Sequence, residues 1–194
     1  MEWKDGKTRC CWANPGNPRY IQYHDEEWGV PVHDDQKLFE MLILESFQAG
    51  LSWECVLNKR QAFCQAYENF DLEKVCAFDD RKKEELRGNP GIIRNRLKID
   101  ASVNNARIFR EIQREWGSFD HYLWHWTDNE IIYETGKDRS ELSDQISADL
   151  KRRGMKFVGT VIIYAYLQAV GVINSHEEGC FLKWQKQNFS SLSS

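Results

Sequence analysis

The chain has 194 residues, enough for one sizeable core or two small lobes sharing one. It contains no stretch long and apolar enough to span a bilayer. Its charged start, Met1-Glu2-Trp3-Lys4-Asp5, lacks the apolar run of a secretory signal, so a cytoplasmic protein is expected. A net charge of −4 excludes a protein that is basic all over, and six cysteines in a reducing compartment read as free thiols or metal ligands rather than disulfides.

Between residues 12 and 31, Trp12, Tyr20, Tyr23 and Trp28 are interleaved with Pro15, Gly16, Pro18, Gly29 and Pro31. That composition is too broken for a long helix and is read as irregular chain, lining a pocket or covering the core. Helical periodicity follows. Asp34 or Asp35 caps a helix with Leu38, Phe39, Leu42, Ile43 and Phe47 on one face, and Gly50 ends it. Ser52 caps a second helix carrying Val56, Leu57, Phe63 and Tyr67. Asp71 caps a short helix through Val75, and Asp79 another that ends near Gly88, before the turn Asn89-Pro90-Gly91.

A long amphipathic helix is predicted over residues 93–116, with Ile99, Val103, Ala106, Phe109 and Ile112 inward, and a short one over 119–126. Residues 127–142 are charged and weakly periodic. They read as a loop with some extended chain at Ile131-Ile132-Tyr133. Ser143 caps a helix through Ile146 and Leu150 to Arg153, the turn 154–159 follows, and an apolar helix over 160–170 stops at Gly171. The fold class is all-α, one unit over 1–189, with a disordered Ser-rich tail at 190–194.

Three places carry chemistry. Glu45 lies in the apolar run Leu42-Ile43-Leu44-Glu45-Ser46-Phe47, with Trp53 just beyond. A buried carboxylate is costly unless it is paired or has work to do, and an acid beside an aromatic face suits a flat, cationic heterocycle. Periodicity alone also allows Glu45 on a polar face. His176 and Cys180, four apart, share one face of a helix if they lie on one. With His24 and either Cys10 or Cys11 they would make a closed Cys2His2 zinc site, structural rather than catalytic. The turn 154–159, between Lys151-Arg152-Arg153 and an apolar helix and carrying Lys156, offers backbone N–H groups and cations to a phosphate. An ordinary helix–helix turn has the same outline.

Together these stretches resemble the 3-methyladenine DNA glycosylase I family. The resemblance is carried by Arg9-Cys10-Cys11-Trp12, by residues 20–31 from Tyr20 to Pro31, and by Leu44-Glu45-Ser46-Phe47-Gln48-Ala49-Gly50-Leu51-Ser52-Trp53. Gly91-Ile92-Ile93-Arg94-Asn95-Arg96, Gly154-Met155-Lys156-Phe157-Val158-Gly159-Thr160 and residues 176–180 extend it in order. It implies a helix-hairpin-helix DNA glycosylase fold whose ends are clasped by one structural zinc on Cys10, His24, His176 and Cys180, with no organic cofactor. It implies Glu45 as the catalytic carboxylate, Tyr23 and Trp53 lining the base site, and Trp12, Tyr20 and Trp28 as the next layer.

The expected activity is excision of N3-methyladenine from alkylated double-stranded DNA by a monomer in base excision repair. It leaves an abasic site and free 3-methyladenine. The base is flipped out, Leu51 or Gln48 fills the gap in the duplex, and Gly154, Lys156, Gly159 and Arg153 hold the backbone. No lysine follows the hairpin, so no lyase step is expected. Two positions depart from the family pattern. Ser46 stands where glycine is usual and could narrow the pocket or bond Glu45. Ser175 stands where an aspartate is common, leaving Glu177 and Glu178 as the nearest acids. The alternatives are a non-catalytic helix-hairpin-helix protein that binds damaged DNA, and a zinc-stabilised protein-interaction module.

Overall fold

The computed structural model describes residue 3 and residues 5–183; the tail expected at 190–194 lies outside them. Among the described residues the chain is almost wholly helical. It opens with α1 (Pro18–Glu26), α2 (Asp35–Gln48), α3 (Trp53–Leu57), α4 (Arg60–Ala66), α5 (Leu72–Cys76) and α6 (Asp80–Gly88). It continues with α7 (Arg96–Trp116), α8 (Phe119–Trp124), α9 (Glu141–Arg152) and α10 (Thr160–Ala169). The apolar helix α2 sits centrally, packed on α10, α7, α3 and α8. Leu38, Phe39, Leu42, Leu44 and Phe47 along it are fully buried. None of the described helices is long and apolar enough to cross a membrane.

Local chemistry explains where sequence and structure part. The segment read as irregular contains α1, because Asn17 caps it through Arg19 N at 3.2 Å and Pro18 occupies its first turn. Proline there starts a helix, since its missing N–H has no helical partner to lose. The helix expected after Ser52 is two, α3 ending at Leu57 and α4 beginning at Arg60, with Asn58 and Lys59 between them. The long helix begins at Arg96 rather than residue 93, because the Asn95 side chain accepts from Lys98 N at 3.1 Å and caps it there. Ser140, not Ser143, caps α9. The two serines bond reciprocally, with Ser143 as the third helical residue. The extended piece is real: β1 (Ile132–Tyr133) pairs in parallel with β2 (Ile173–Asn174), a partner that periodicity did not reveal.

Two close approaches lock the N-terminal segment onto the C-terminal one. Gly29 N and Val32 N donate to Gln168 O and Val170 O at 2.9 and 3.0 Å. Gly171, at φ 74°, lies so close to Val30 and Pro31 that a Cβ would stand 2.3 Å from Pro31 N. Gly171→Ala is therefore expected to cost about 3–5 kcal/mol through backbone clash and left-handed strain, read as a lowered denaturant midpoint. A wild-type midpoint would show that the approach is not required.

Candidate active site

The residues singled out around Glu45 converge on one cavity. On α1, positions 20, 23 and 24 share a face, so Tyr20 and Tyr23 reach the cavity while His24 turns into the core beside it. Glu45 and Gln48 come from the last turns of α2, and Trp53 from the start of α3. Trp12 and Trp28 complete the aromatic wall. The cavity measures about 200 Å3, room for a single nucleobase. The Tyr23 and Trp53 rings lie 5.3 Å apart at 48°. Ala165 and Gln168 of α10 also line it and were not foreseen. A glutamine near the end of an otherwise apolar helix was the available signal.

Glu45 is 2 % exposed, so the polar-face reading is wrong. Its Oε2 has no hydrogen-bond partner, nor do Gln48 Oε1 and Trp53 Nε1. Two acceptors and one donor, all buried and unmatched, mark a polar surface completed by something that enters the cavity. Burial alone lifts the Glu45 carboxyl well above the ordinary carboxylate range. Burial first, then Glu54 and Glu45, pushes Tyr20 up to about 12, which keeps that wall uncharged. Ser46 neither narrows the cavity nor bonds Glu45: its hydroxyl donates to Leu42 O at 2.8 Å within α2. The described residues that line the cavity include no lysine or cysteine.

Beyond Gln48 the chain turns at Gly50 (φ 77°) and leaves Leu51 43 % exposed. Lys98, at the start of α7, steadies that turn by donating to Phe47 O at 2.8 Å and Ala49 O at 2.6 Å, carbonyls that the end of α2 leaves unpaired.

The turn between α9 and α10 is tightly held. Asn105 bonds Lys156 N and Lys156 O at 2.9 and 2.8 Å, and Ser147 Oγ donates to Val158 O at 2.7 Å. Gly154 sits at φ 100° and Gly159 begins α10 with no side-chain cap, which leaves the first N–H groups of that helix outward. Lys156 is exposed and has no ion pair among the described residues. Arg153 is placed differently: its guanidinium is held by Asp149 and by both oxygens of Glu115.

A second cluster lies behind the aromatic wall. Cys10, His24, His176 and Cys180 are all buried, with one donor atom each inside a 4.8 Å span. Cys180 Sγ is 3.6 Å from His24 Nε2 and 3.5 Å from His176 Nδ1, and Cys10 Sγ is 3.6 Å from His176 Nδ1. Bond lengths of ~2.3 Å to sulfur and ~2.0 Å to nitrogen give a tetrahedral S···N edge of about 3.5 Å, so the donors fit a four-coordinate cation. Burial pushes the Cys10 thiol up and both imidazoles down, His176 to about 4, so the histidines stay neutral, as metal ligands must. Asp25 holds His24 Nδ1 at 2.8 Å and is itself clamped by Arg9. Such an outer partner fixes the ring for coordination through its other nitrogen.

The geometry decides between neighbouring cysteines. Cys11 is exposed and bonded to Glu177, Sγ to Oε1 at 2.9 Å, while Cys10 turns inward. Glu177 is thereby held at the surface, away from the cavity. His176 and Cys180 do not share a helix face as expected. They lie in a turn closed by Cys180 N to Glu177 O at 2.8 Å. Cluster and cavity touch: Trp12 packs on His24 at 5.1 Å and Trp28 on His176 at 4.7 Å, ring to ring.

An aromatic-walled cavity with unmatched polar atoms suits one flat heterocycle, and the glycine-bearing turn that leads into α10 is of the kind that grips a nucleic-acid backbone. Fold and site thus define a helical protein that takes a single base out of a nucleic acid. The sequence profile of the methyladenine glycosylase family matches residues 12–183. DNA-3-methyladenine glycosylase 1 of Escherichia coli (strain K12) is 42 % identical over 178 residues, 89 % of this chain and 95 % of that one. A crystal structure of 3-methyladenine DNA glycosylase I matches with a TM-score of 0.86 at 41 % identity, covering 90 % of this chain and 98 % of that one. A tyrosine-to-phenylalanine variant of a 3-methyladenine DNA glycosylase I, solved in complex with 3-methyladenine, matches at 0.83 and 34 % identity, covering 86 % and 93 %. The chain belongs to the methyladenine glycosylase family.

Proposed function

We propose that this protein is a monofunctional DNA glycosylase that hydrolyses the N-glycosidic bond of N3-methyladenine in alkylated double-stranded DNA, in base excision repair. The observation that carries the reading is the buried Glu45 carboxyl, its Oε2 without a partner, in a cavity walled by Tyr23 and Trp53. N3-methylation makes the attached base cationic. Its entry brings a countercharge to Glu45, and the carboxyl releases to solvent water the proton that burial made it keep. Stacking on the aromatic wall holds the ring, while Gln48 Oε1 and Trp53 Nε1 meet the polar edge.

The N-glycosidic bond breaks with its electron pair passing to the base, which leaves neutral. Water adds to the sugar carbon and releases a proton to solvent. Glu45 stabilises the sugar cation that develops in between. Leu51, projecting from its turn, fills the space that the base vacates. The hairpin holds the backbone through Lys156 and the turn at Gly154 and Gly159, with Arg153 bracing it through Asp149 and Glu115.

The cluster of Cys10, His24, His176 and Cys180 is proposed to hold one structural zinc ion. When bound, the ion joins the two ends of the chain with no open position for chemistry. The protein is proposed to act as a monomer in the cytoplasm, where its six cysteines, none in a disulfide, stay reduced.

The reading is tested by incubating the protein with methylated DNA and measuring released 3-methyladenine; intact base content after long incubation would reject it. Leu51→Ala is expected to slow release from duplex about tenfold, because unstacking costs a few kcal/mol per step. Affinity for free 3-methyladenine should stay unchanged, as measured by tryptophan fluorescence. Equal losses in both would place Leu51 in the base pocket instead.

A further inference from the structure

Lys98, in the first turn of α7, is a lysine at only 7 % exposure, and among the described residues no carboxylate acts on it. A cation taken out of water is costly unless other groups replace its hydration. Here they are carbonyls and a ring. The ammonium donates to Phe47 O and Ala49 O, at the negative end of α2, and lies 5.9 Å from the ring centroid of Phe157 in the turn before α10. It does not act on the buried acid of the cavity, because burial is the one cause of the raised Glu45 carboxyl.

The same helix holds the other end of that turn. Asn105 lies two helical turns beyond Lys98 on the same face, about 10 Å along the axis. It bonds Lys156 N and Lys156 O, and the adjacent Asn104 donates to Gly154 O at 3.0 Å. Phe157 between these contacts stands at φ 55°, a left-handed conformation that an aromatic residue keeps only where its surroundings hold it. One rigid helix thus carries both the brace of the Leu51 turn and the braces of the turn 154–159.

We propose that Lys98 is a positioning residue of the reaction. It fixes the turn that carries Leu51 at a set distance from the turn 154–159, so that the wedge and the backbone grip reach the duplex as one unit. The proposal rests on the glycosylase reading and gives Lys98 no contact with base or phosphate. Without the ammonium, the last carbonyls of α2 return to water and the turn gains freedom. Opening a duplex must then order that turn first. Filling the cavity with a free base needs no such step.

The test uses the whole chain. It measures kcat on methylated duplex, affinity for a duplex bearing one abasic site across a salt series, and affinity for free 3-methyladenine. Lys98→Met keeps the length of the side chain and removes its charge. It is expected to lower kcat and abasic-duplex affinity about tenfold, a large part of what an opened step costs. The salt slope should stay as in wild type, because no phosphate contact is lost, and so should the affinity for free base. Leu51→Ala/Lys98→Met should lose no more than the weaker of its two single variants, since without the wedge the lysine has nothing to place. Phe157→Leu leaves the carbonyl bonds of Lys98 intact and should give the same pattern at about twofold to fivefold, which keeps the test open if Lys98→Met does not fold.

Wild-type kcat and duplex affinity in Lys98→Met overturn the proposal, as do additive losses in the double variant. A shallower salt slope makes Lys98 a phosphate contact instead, and an equal fall in free-base affinity makes it a residue of the fold alone. Non-additive losses of abasic-duplex affinity in a protein that releases no base would reject the glycosylase reading and leave the tie standing.

Discussion

Glu45→Gln is expected to lower 3-methyladenine release by about 10²–10³-fold and at the same time to stabilise the fold at neutral pH. The loss follows from removing a preorganised charge from a water-excluded site, where it faces a cationic base and a developing sugar cation. Glutamine keeps the shape and one hydrogen-bonding oxygen, so affinity for neutral 3-methyladenine should fall far less than the rate.

The gain follows from the direction of the carboxyl's shift. Burial lifts it well above its ordinary value of 4.5, so its favourable neutral form is fully present below 4.5 and is lost as pH rises through the folded value. Each pH unit of that lift costs about 1.4 kcal/mol at high pH, which glutamine avoids. The melting temperature of the variant should therefore exceed that of wild type at pH 8 and approach it near pH 4. In wild type, kcat/KM should rise with pH through the same raised value, and the variant should lack that limb. A variant that retains the limb would assign it to another group. Wild-type release by Glu45→Gln would remove Glu45 from the mechanism.

Loss of the proposed zinc ion is expected to have the largest effect on stability. Structural zinc contributes about 10–16 kcal/mol of apparent binding energy in small finger peptides, and part of that is folding energy wherever the apo site collapses. Cys180→Ser removes a buried ligand and severs the tie between residues 10 and 24 and the C-terminal turn. It should abolish metal binding and lower the melting temperature by well over ten degrees, at roughly 2–4 °C per kcal/mol for a chain of this size. Chelation of wild type should do the same, and elemental analysis should find one zinc per chain. Because Trp12 and Trp28 pack on His24 and His176, base affinity should fall with the metal, although no ligand touches the cavity. Cys11→Ser is the control. It lies next to Cys10, is exposed and bonds Glu177, so it should keep both metal and stability. A protein that binds no metal, and whose melting ignores chelator, would leave the cluster as four buried side chains with a packing role.

Several elements were legible because they depend on near neighbours. The caps at Asp34, Ser52, Asp71 and Asp79 fall where their spacing to the following N–H groups demands. The apolar face of α2 is equally plain. Errors arose where two local signals competed. Proline can start a helix as well as break one, which hid α1, and Ser140 and Ser143 form a pair in which either could be taken for the cap. The strand at residues 132–133 has its partner some forty residues away, beyond the reach of any periodicity.

The amino-acid sequence by itself determined the helical class, the apolar run in which Glu45 stands, and the family motifs with their order, because side-chain period, capping and motif spacing are local properties of a chain. It did not decide whether Glu45 is buried or which of its oxygens stands unpaired, that Ser46 turns back onto α2, or that Arg153 spends its charge on Asp149 and Glu115. Those outcomes depend on which atoms distant segments bring within hydrogen-bond range. α1, α2, α3 and α10 close one cavity, and residues 10, 24, 176 and 180 meet behind its wall only once the two ends of the chain have folded together.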